Sequence, residues 1–269
     1  MARLNKQFGF TGGLGNVSAY SRRDMEGQVI LRTKGGPPKD KIKKDPAFAS
    51  TRRNNMEWRG VTKACSGFRT ATMHTHRAAD YNFTGTLNGL FRLMAKEDKE
   101  GLMGERTIYI SRNKEMVEGF SFTRNKSWES MVVAPVYVTI SRVEGKARLL
   151  LPALVPGSSF RSPWQLPFYR LVVQGNAVSD YVYSAKLQDY QPVVDLSRHV
   201  WGDLHTTEWL PCSEERAAEE VVLDITKGEA LPDAVTLVVS ISIEFGVVLA
   251  GGRIEYKKYT GAGKVLQMG

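Results

Sequence analysis

With two cysteines in 269 residues, Cys65 and Cys212, the chain has no disulfide framework, and a reduced cytosolic state is the simpler expectation. No apolar run approaches the roughly 18 residues that span a bilayer, so no membrane segment is expected. Residues 1–15 carry early cations but neither an apolar block nor a small-residue cleavage site, which argues against a secretory leader. The cytoplasm or an assembled particle is therefore the expected location.

Catalytic signatures are equally scarce. There is no Walker motif, since Gly35-Gly-Pro-Pro-Lys39 places prolines where backbone donors are needed, and no Gly-x-Ser-x-Gly elbow. The string Gly12-Gly-Leu-Gly15 resembles part of a phosphate loop, yet it lacks the strand before and the helix after it, and Ser18 stands at the third glycine. Cys65 falls on an apolar helix face and Cys212 follows Pro211 in a loop, so inert packing is expected of both. Two groups are rich in metal-ligand residue types: His74, His76 and Asp80, and His199, Asp203, His205 and Glu208. Neither has motif spacing, and ordinary half-buried histidines are expected rather than a metal. No catalytic residue and no cofactor is assigned, and an enzyme is not expected.

What the chain does have is an uneven distribution of charge. Residues 1–79 hold 16 Lys and Arg against 5 Asp and Glu, while residues 80–269 hold 21 against 23. The whole basic excess lies in the first third, the usual footprint of a segment that meets a polyanion, most often nucleic acid. The plainer alternative is a solvated basic face or one that pairs with an acidic neighbour. The 42% of apolar residues suffices for a sizeable core and excludes a disordered chain.

The pattern along the chain suggests three parts. Residues 1–46 read as a basic, glycine-rich arm with a β-hairpin, its strands at 17–21 and 28–32 and its turn near Gly27. A two-stranded hairpin is marginal alone, so something else must hold it. Residues 47–103 read as helical. Asp45-Pro46 suits a helix start, because Asp caps and Pro fits the first position. Trp58, Val61, Ala64, Cys65 and Phe68 fall on one side of that helix as core, with Arg52, Arg59 and Lys63 opposite. A second helix is expected over 81–96, with Phe83, Leu87, Leu90, Phe91 and Met94 on its apolar face and Gly85 and Gly89 explained by close helix packing.

Residues 104–269 change to a period of two. Strands are expected at 107–110, 136–141, 147–151, 168–174, 180–187, 220–226, 235–245 and 253–258, with no parallel βαβ alternation. The expected fold is mainly β, an antiparallel β-sandwich (Ig-like or jelly-roll-like) with an N-terminal arm or hairpin and two helices. The connections 152–167 and 188–218 read as long loops, where contacts tend to lie.

These features single out two residue sets. Arg22, Arg23, Arg32, Lys34, Arg52, Arg53, Arg59 and Lys63 are the candidate polyanion-binding cations. Phe8, Phe10, Tyr20 and Ile30 are the candidate anchors by which the arm grips a neighbour. The expected function is that of a non-enzymatic subunit that self-assembles into a homo-oligomer or polymer, capsid-, tube- or filament-like, through its arm, with nucleic acid as a compatible partner and no membrane contact. Two alternatives compete with it. One is a nucleic-acid-binding protein that does not assemble. The other is a carbohydrate- or protein-binding sandwich using Phe160, Trp164, Tyr190, Trp201 and Trp209.

The segments Gly12-Gly-Leu-Gly-Asn-Val-Ser-Ala-Tyr20, Ile30-Leu-Arg-Thr-Lys-Gly-Gly36 and Phe48-x-x-x-Arg52 resemble uncharacterised Bacteroidota proteins that open with Gly-x-Leu/Val-Gly-Asn, an Arg-rich strand, a helix and then β-strands. The resemblance covers about the first 70 residues and implies the arm-plus-β-body layout; it implies nothing about chemistry.

Overall fold

The computed structural model describes residues 2–4, 11–21, 29–163 and 165–269, with side chains from residue 11 onward. Phe8, Phe10, Arg22, Arg23, Trp164 and the turn expected near Gly27 lie outside the described residues. The chain divides into two compact units, residues 1–52 and 53–269. It is mostly antiparallel β, with an N-terminal hairpin sheet and two substantial helices.

The first unit holds four short strands, β1 (Ala2–Leu4), β2 (Gly12–Leu14), β3 (Val17–Ser21) and β4 (Val29–Thr33), in the spatial order β1-β4-β3-β2. The expected pairing of 17–21 with 28–32 is present, with Val17 opposite Thr33 and Tyr20 opposite Ile30. The glycine string, unassigned from sequence, forms the edge strand β2 and its turn. Leu14 lies opposite Val17, leaving Gly15 and Asn16 as a two-residue loop, and Gly15 supplies the positive φ of 53° that a tight hairpin turn requires. A short helix, α1 (Lys39–Lys44), follows. Asp45 then caps a helical turn at Pro46–Phe48, its Oδ1 accepting the Ala47 N–H at 2.9 Å, and α2 (Ala49–Ala71) runs on from there.

The second unit adds α3 (Thr84–Glu97), the short α4 (Trp128–Met131), and strands β5 (Tyr137–Ser141), β6 (Lys146–Leu151), β7 (Phe168–Ser179), β8 (Tyr181–Ser184), β9 (Asp189–Pro192), β10 (Asp203–Thr206), β11 (Leu210–Pro211), β12 (Glu219–Asp224), β13 (Val235–Val248), β14 (Ile254–Tyr256) and β15 (Ala262–Met268). The long strands β7 and β13 pair along their length and carry β10, β11, β14 and β15 on their flanks, making six strands. A separate three-stranded sheet runs β12-β6-β5, and β8 pairs with β9. Among the described residues, no strand pairs from one sheet to the other.

Both faces of β13 are buried, and they differ in kind. Val235, Leu237, Val239, Ile241, Ile243 and Phe245 join Leu171 and Val173 of β7, Ala147, Leu149 and Leu151 of β6, and Val221 and Leu223 of β12 in one apolar core. The alternate positions Thr236, Ser240, Ser242 and Glu244 are buried on the opposite face. There the connection between α2 and α3 supplies polar partners. Thr75 Oγ1 lies 2.7 Å from Ser240 Oγ, and the His74 N–H donates to Gln174 Oε1 at 3.0 Å. A second core joins Val61, Ala64, Cys65 and Phe68 of α2, Leu87, Phe91 and Met94 of α3, and Val178, Val238, Val265 and Met268 of the sheet. Each large apolar side chain fully buried here stabilises the fold by about 1.5–3 kcal/mol. Gly175 lies within β7 because the side chains of Ile225 and Leu223 pack 2.8–3.0 Å from where its Cβ would be.

Four sequence expectations are corrected. Trp58 is 43% exposed; the buried stripe begins at Glu57, whose Oε2 accepts the Gly104 N–H at 3.1 Å and lies 3.6 Å from Arg106. Glu57, Val61, Ala64 and Phe68 keep the i, i+4, i+7, i+11 spacing, so a paired carboxylate takes the place expected for the indole. Gly85 and Gly89 of α3 have open space around them; the close approaches are at Gly60 against the Tyr190 ring and Gly67 against the Tyr181 hydroxyl. Residues 107–110 make a single bridge, Ile108 to Tyr181, and no strand. Beside that bridge, carboxylates take the N–H groups at either end: Thr107 N–H donates to Asp98 Oδ2 at 2.7 Å, and Ser111 N–H to Asp180 Oδ1 at 2.8 Å. The connection 188–218 is not a plain loop but contains β9, β10 and β11.

Candidate polyanion and assembly surfaces

In the first unit, the two described candidate anchors are cross-strand partners on one face of the sheet, yet they differ in burial. Ile30 is buried, whereas Tyr20 opposite it is 37% exposed. The Arg32 guanidinium lies 5.7 Å from the Tyr20 ring centroid, a cation–π contact made by an exposed side chain. Lys34 secures the hairpin, its Nζ donating to Gly15 O at 3.0 Å and its N–H to Asn16 O at 2.7 Å. Arg52 is half-buried, and its Nη1 donates to the carbonyls of Ile42 and Asp45, both at 2.8 Å. It thereby ties α1 to the start of α2.

In the second unit, Arg59 and Lys63 converge on one carboxylate. Lys63 Nζ lies 2.7 Å from Asp189 Oδ2 and also donates to Tyr190 O at 2.8 Å, while Arg59 stands 3.8 Å from Asp189 Oδ1. The hydrogen bond from Lys63 holds the Asp189 carboxyl below the usual carboxylate range. Arg53 is exposed. Thus the cationic side of α2 is divided: Arg52 serves carbonyls in the first unit, Arg59 and Lys63 share a counter-charge in the second, and Arg53 faces solvent.

The histidines do not gather. His76 packs edge-on against Phe83 and Phe122, at ring distances of 5.5 and 6.2 Å. His199 Nδ1 lies 2.7 Å from Glu229 Oε2, and its ring stacks 4.2 Å from Trp201. His205 faces Glu219 at 3.6 Å. Among the described residues, no group of three His, Cys, Asp or Glu is placed to hold a metal. Burial pushes the thiols of Cys65 and Cys212 up to about 11, far from a reactive thiolate.

One cleft draws on the 188–218 connection and Trp201, which the sequence singled out, together with parts of α2 and β7 that it did not. It holds about 390 Å³ beside Gly67 and Ala71 of α2, Asn176–Ser179 of β7, Tyr181, Pro192, Val194–Ser197 and Trp201. Its polar groups are largely engaged already. The Trp201 Nε1–H donates to Glu229 at 2.9 Å, Ser179 Oγ accepts the Val194 N–H at 2.9 Å, and Asp195 Oδ1 accepts from Ser197 Oγ at 2.6 Å. Of the aromatics in the 152–167 and 188–218 connections, Phe160 and Tyr190 are only 1% exposed and serve the two cores. Trp209 is half-buried beneath the Arg170 guanidinium at 4.7 Å. This burial removes Phe160 and Tyr190 from any stacking role at the surface. No helix among the described residues is long and apolar enough to cross a membrane.

Compared with protein-family models, with curated proteins and with solved structures, the chain matches none.

Proposed function

We propose that the protein is a non-enzymatic subunit that self-assembles, in the manner of a capsid, tube or filament protein, by adding its N-terminal sheet to a neighbouring copy, with nucleic acid contacted by the basic side chains of the same region. The observation that carries this reading is how little apolar surface the first unit buries among its described side chains. Its four-stranded sheet buries only Ala19, Val29 and Ile30 among the described hydrophobic residues. A sheet needs a substantial apolar face to stand alone, so one this poor gains stability by extension.

The edge strand suits that role. β2 pairs only with β3 among the described residues, carries Gly12 and Gly13, and exposes Leu14 at 70%. An edge with little side-chain bulk accepts another strand through main-chain hydrogen bonds. The exposed Arg32, over Tyr20, and the exposed Arg53 are the described candidate cations best presented to phosphate. For the second unit we infer a two-sheet sandwich, since the six-stranded and three-stranded sheets contribute to one apolar core.

Light scattering coupled to size exclusion tests the reading. The wild-type chain is expected to form oligomers or polymers that grow with concentration, and Leu14→Lys, which puts a charge on the open edge, is expected to shift them to monomer without unfolding. A wild-type chain that stays strictly monomeric at high concentration overturns it.

A further inference from the structure

The candidate cations all lie in the first 63 residues, yet the second unit carries a basic and aromatic surface of its own around the turn that follows β14. Lys257 and Lys258 are exposed and make no ion pair among the described residues, and Tyr259 beside them is 67% exposed. Tyr259 has φ of +66°, a backbone conformation that a bulky aromatic side chain adopts only when its surroundings hold it there. The turn is held from both sides. The Lys257 N–H donates to Phe245 O at 2.8 Å, and the largely buried Thr260 donates through Oγ1 to Lys257 O at 2.6 Å.

The neighbouring groups have the same character. The Arg77 guanidinium lies 5.2 Å from the Tyr256 ring centroid, and the Tyr256 hydroxyl donates to Arg77 O at 3.3 Å. Burial and the Glu244 charge push Tyr256 up to about 12, so it remains a neutral donor. Three residues beyond Arg77, Asp80 accepts the N–H groups of Arg124 and Asn125, both at 2.8 Å, so its carboxylate is engaged by backbone. Glu255 is the acidic residue within β14; strand alternation turns it to the face opposite Tyr256.

We propose that the Lys257–Thr260 turn, with Arg77, is a binding site for single-stranded nucleic acid, in which Tyr259 stacks on an unpaired base and the cations contact the flanking phosphates. An acidic protein partner would meet the same cations, and poly-glutamate bound as tightly as single strands would be its mark. A base-paired duplex offers no free base face to that ring. The inference is independent of how the N-terminal sheet is used.

Fluorescence anisotropy of the full chain with labelled 20-nucleotide DNA and RNA single strands, a duplex of the same length, and poly-glutamate tests it. Single strands are expected to bind more tightly than duplex or poly-glutamate. Tyr259→Ala should weaken single-strand binding about tenfold with an unchanged salt slope. Lys257→Glu with Lys258→Glu should weaken it further and flatten the salt dependence by about 0.7 per lost phosphate contact. Both variants should keep the wild-type oligomeric state and melting temperature, which separates failure here from failure of the assembly reading. No binding of single strands at about 50 mM salt, equal binding of duplex or poly-glutamate, or no effect of Tyr259→Ala overturns the proposal.

Discussion

The ring of Tyr190 occupies the space that a Cβ on Gly60 would fill, with three ring carbons 2.6–2.7 Å from that position. The ring cannot swing aside cheaply. Its hydroxyl donates to the carbonyls of Arg106 at 2.9 Å and Gly104 at 3.2 Å. Helix α2 and strand β9 therefore meet at a glycine in mid-helix, where glycine otherwise costs stability.

Gly60→Ala is expected to destabilise the second unit by about 1–3 kcal/mol through overpacking. Gly85→Ala and Gly89→Ala, with open space at both sites, should each stabilise it by about 0.5–1 kcal/mol through helix propensity. Urea denaturation of the three variants checks this, since the same substitution on two helices should shift the midpoint in opposite directions.

The glycines also show what the sequence could and could not reveal. Periodicity located α2 and α3 and most strands, because Val61, Ala64 and Phe68, or the alternate positions of β13, repeat at the spacing their backbone dictates. It could not show what stands opposite a glycine, so Gly85 and Gly89, four apart, appeared to be the packing pair, while Gly60 and Gly67 gave no local signal. The bridging residues 107–110 look like a strand because Ile108 and Ile110 alternate, yet carboxylates of Asp98 and Asp180 take their flanking N–H groups. β15 was missed because Ala262-Gly-Lys-Val-Leu-Gln-Met268 lacks clean alternation and is stabilised by pairing with β13. Of the candidate cations, sequence could show which side of α2 they share; it could not show that Asp189, 126 residues from Lys63, answers two of them.

His76 makes stability depend on pH. Burial, and then the positive charge of Arg69, lower its pKa below the usual imidazole value of 6.5, with His74 adding to the effect. Between that value and its lower folded pKa, the unfolded chain binds a proton that the native chain does not. Stability therefore rises with pH across this window and is lost as pH falls from about 6.5 toward the folded pKa. The urea midpoint should drop between pH 7.5 and 5.5, and His76→Gln should flatten that part of the profile.

A buried ion pair carries a larger local cost. Arg170 donates through Nε and Nη2 to Glu244 Oε2 at 2.8 and 2.7 Å, and Glu244 is 1% exposed. Arg170→Met strands the carboxylate and should destabilise the fold by about 3–5 kcal/mol. The double variant Arg170→Met with Glu244→Leu removes both charges and should recover most of that loss. Thermal or urea unfolding of the two singles and the double gives the coupling directly.

Asp189 bears on whether the α2 ridge meets nucleic acid. Its carboxylate engages Lys63 at 2.7 Å and Arg59 at 3.8 Å, so part of their field is spent within the molecule. The three side chains are 31–56% exposed, and such pairs contribute little to stability, so Asp189→Asn should change it by less than about 1 kcal/mol. It nevertheless removes a negative charge and releases two cations. If the ridge contacts phosphate, affinity for a labelled oligonucleotide at about 50 mM salt should rise several-fold, and the logarithmic salt slope should steepen by roughly one to two phosphate contacts. Arg59→Glu with Lys63→Glu should reverse both changes. An Asp189→Asn chain whose affinity and salt slope match wild type would mean that Arg59 and Lys63 serve only to dock β9 against α2.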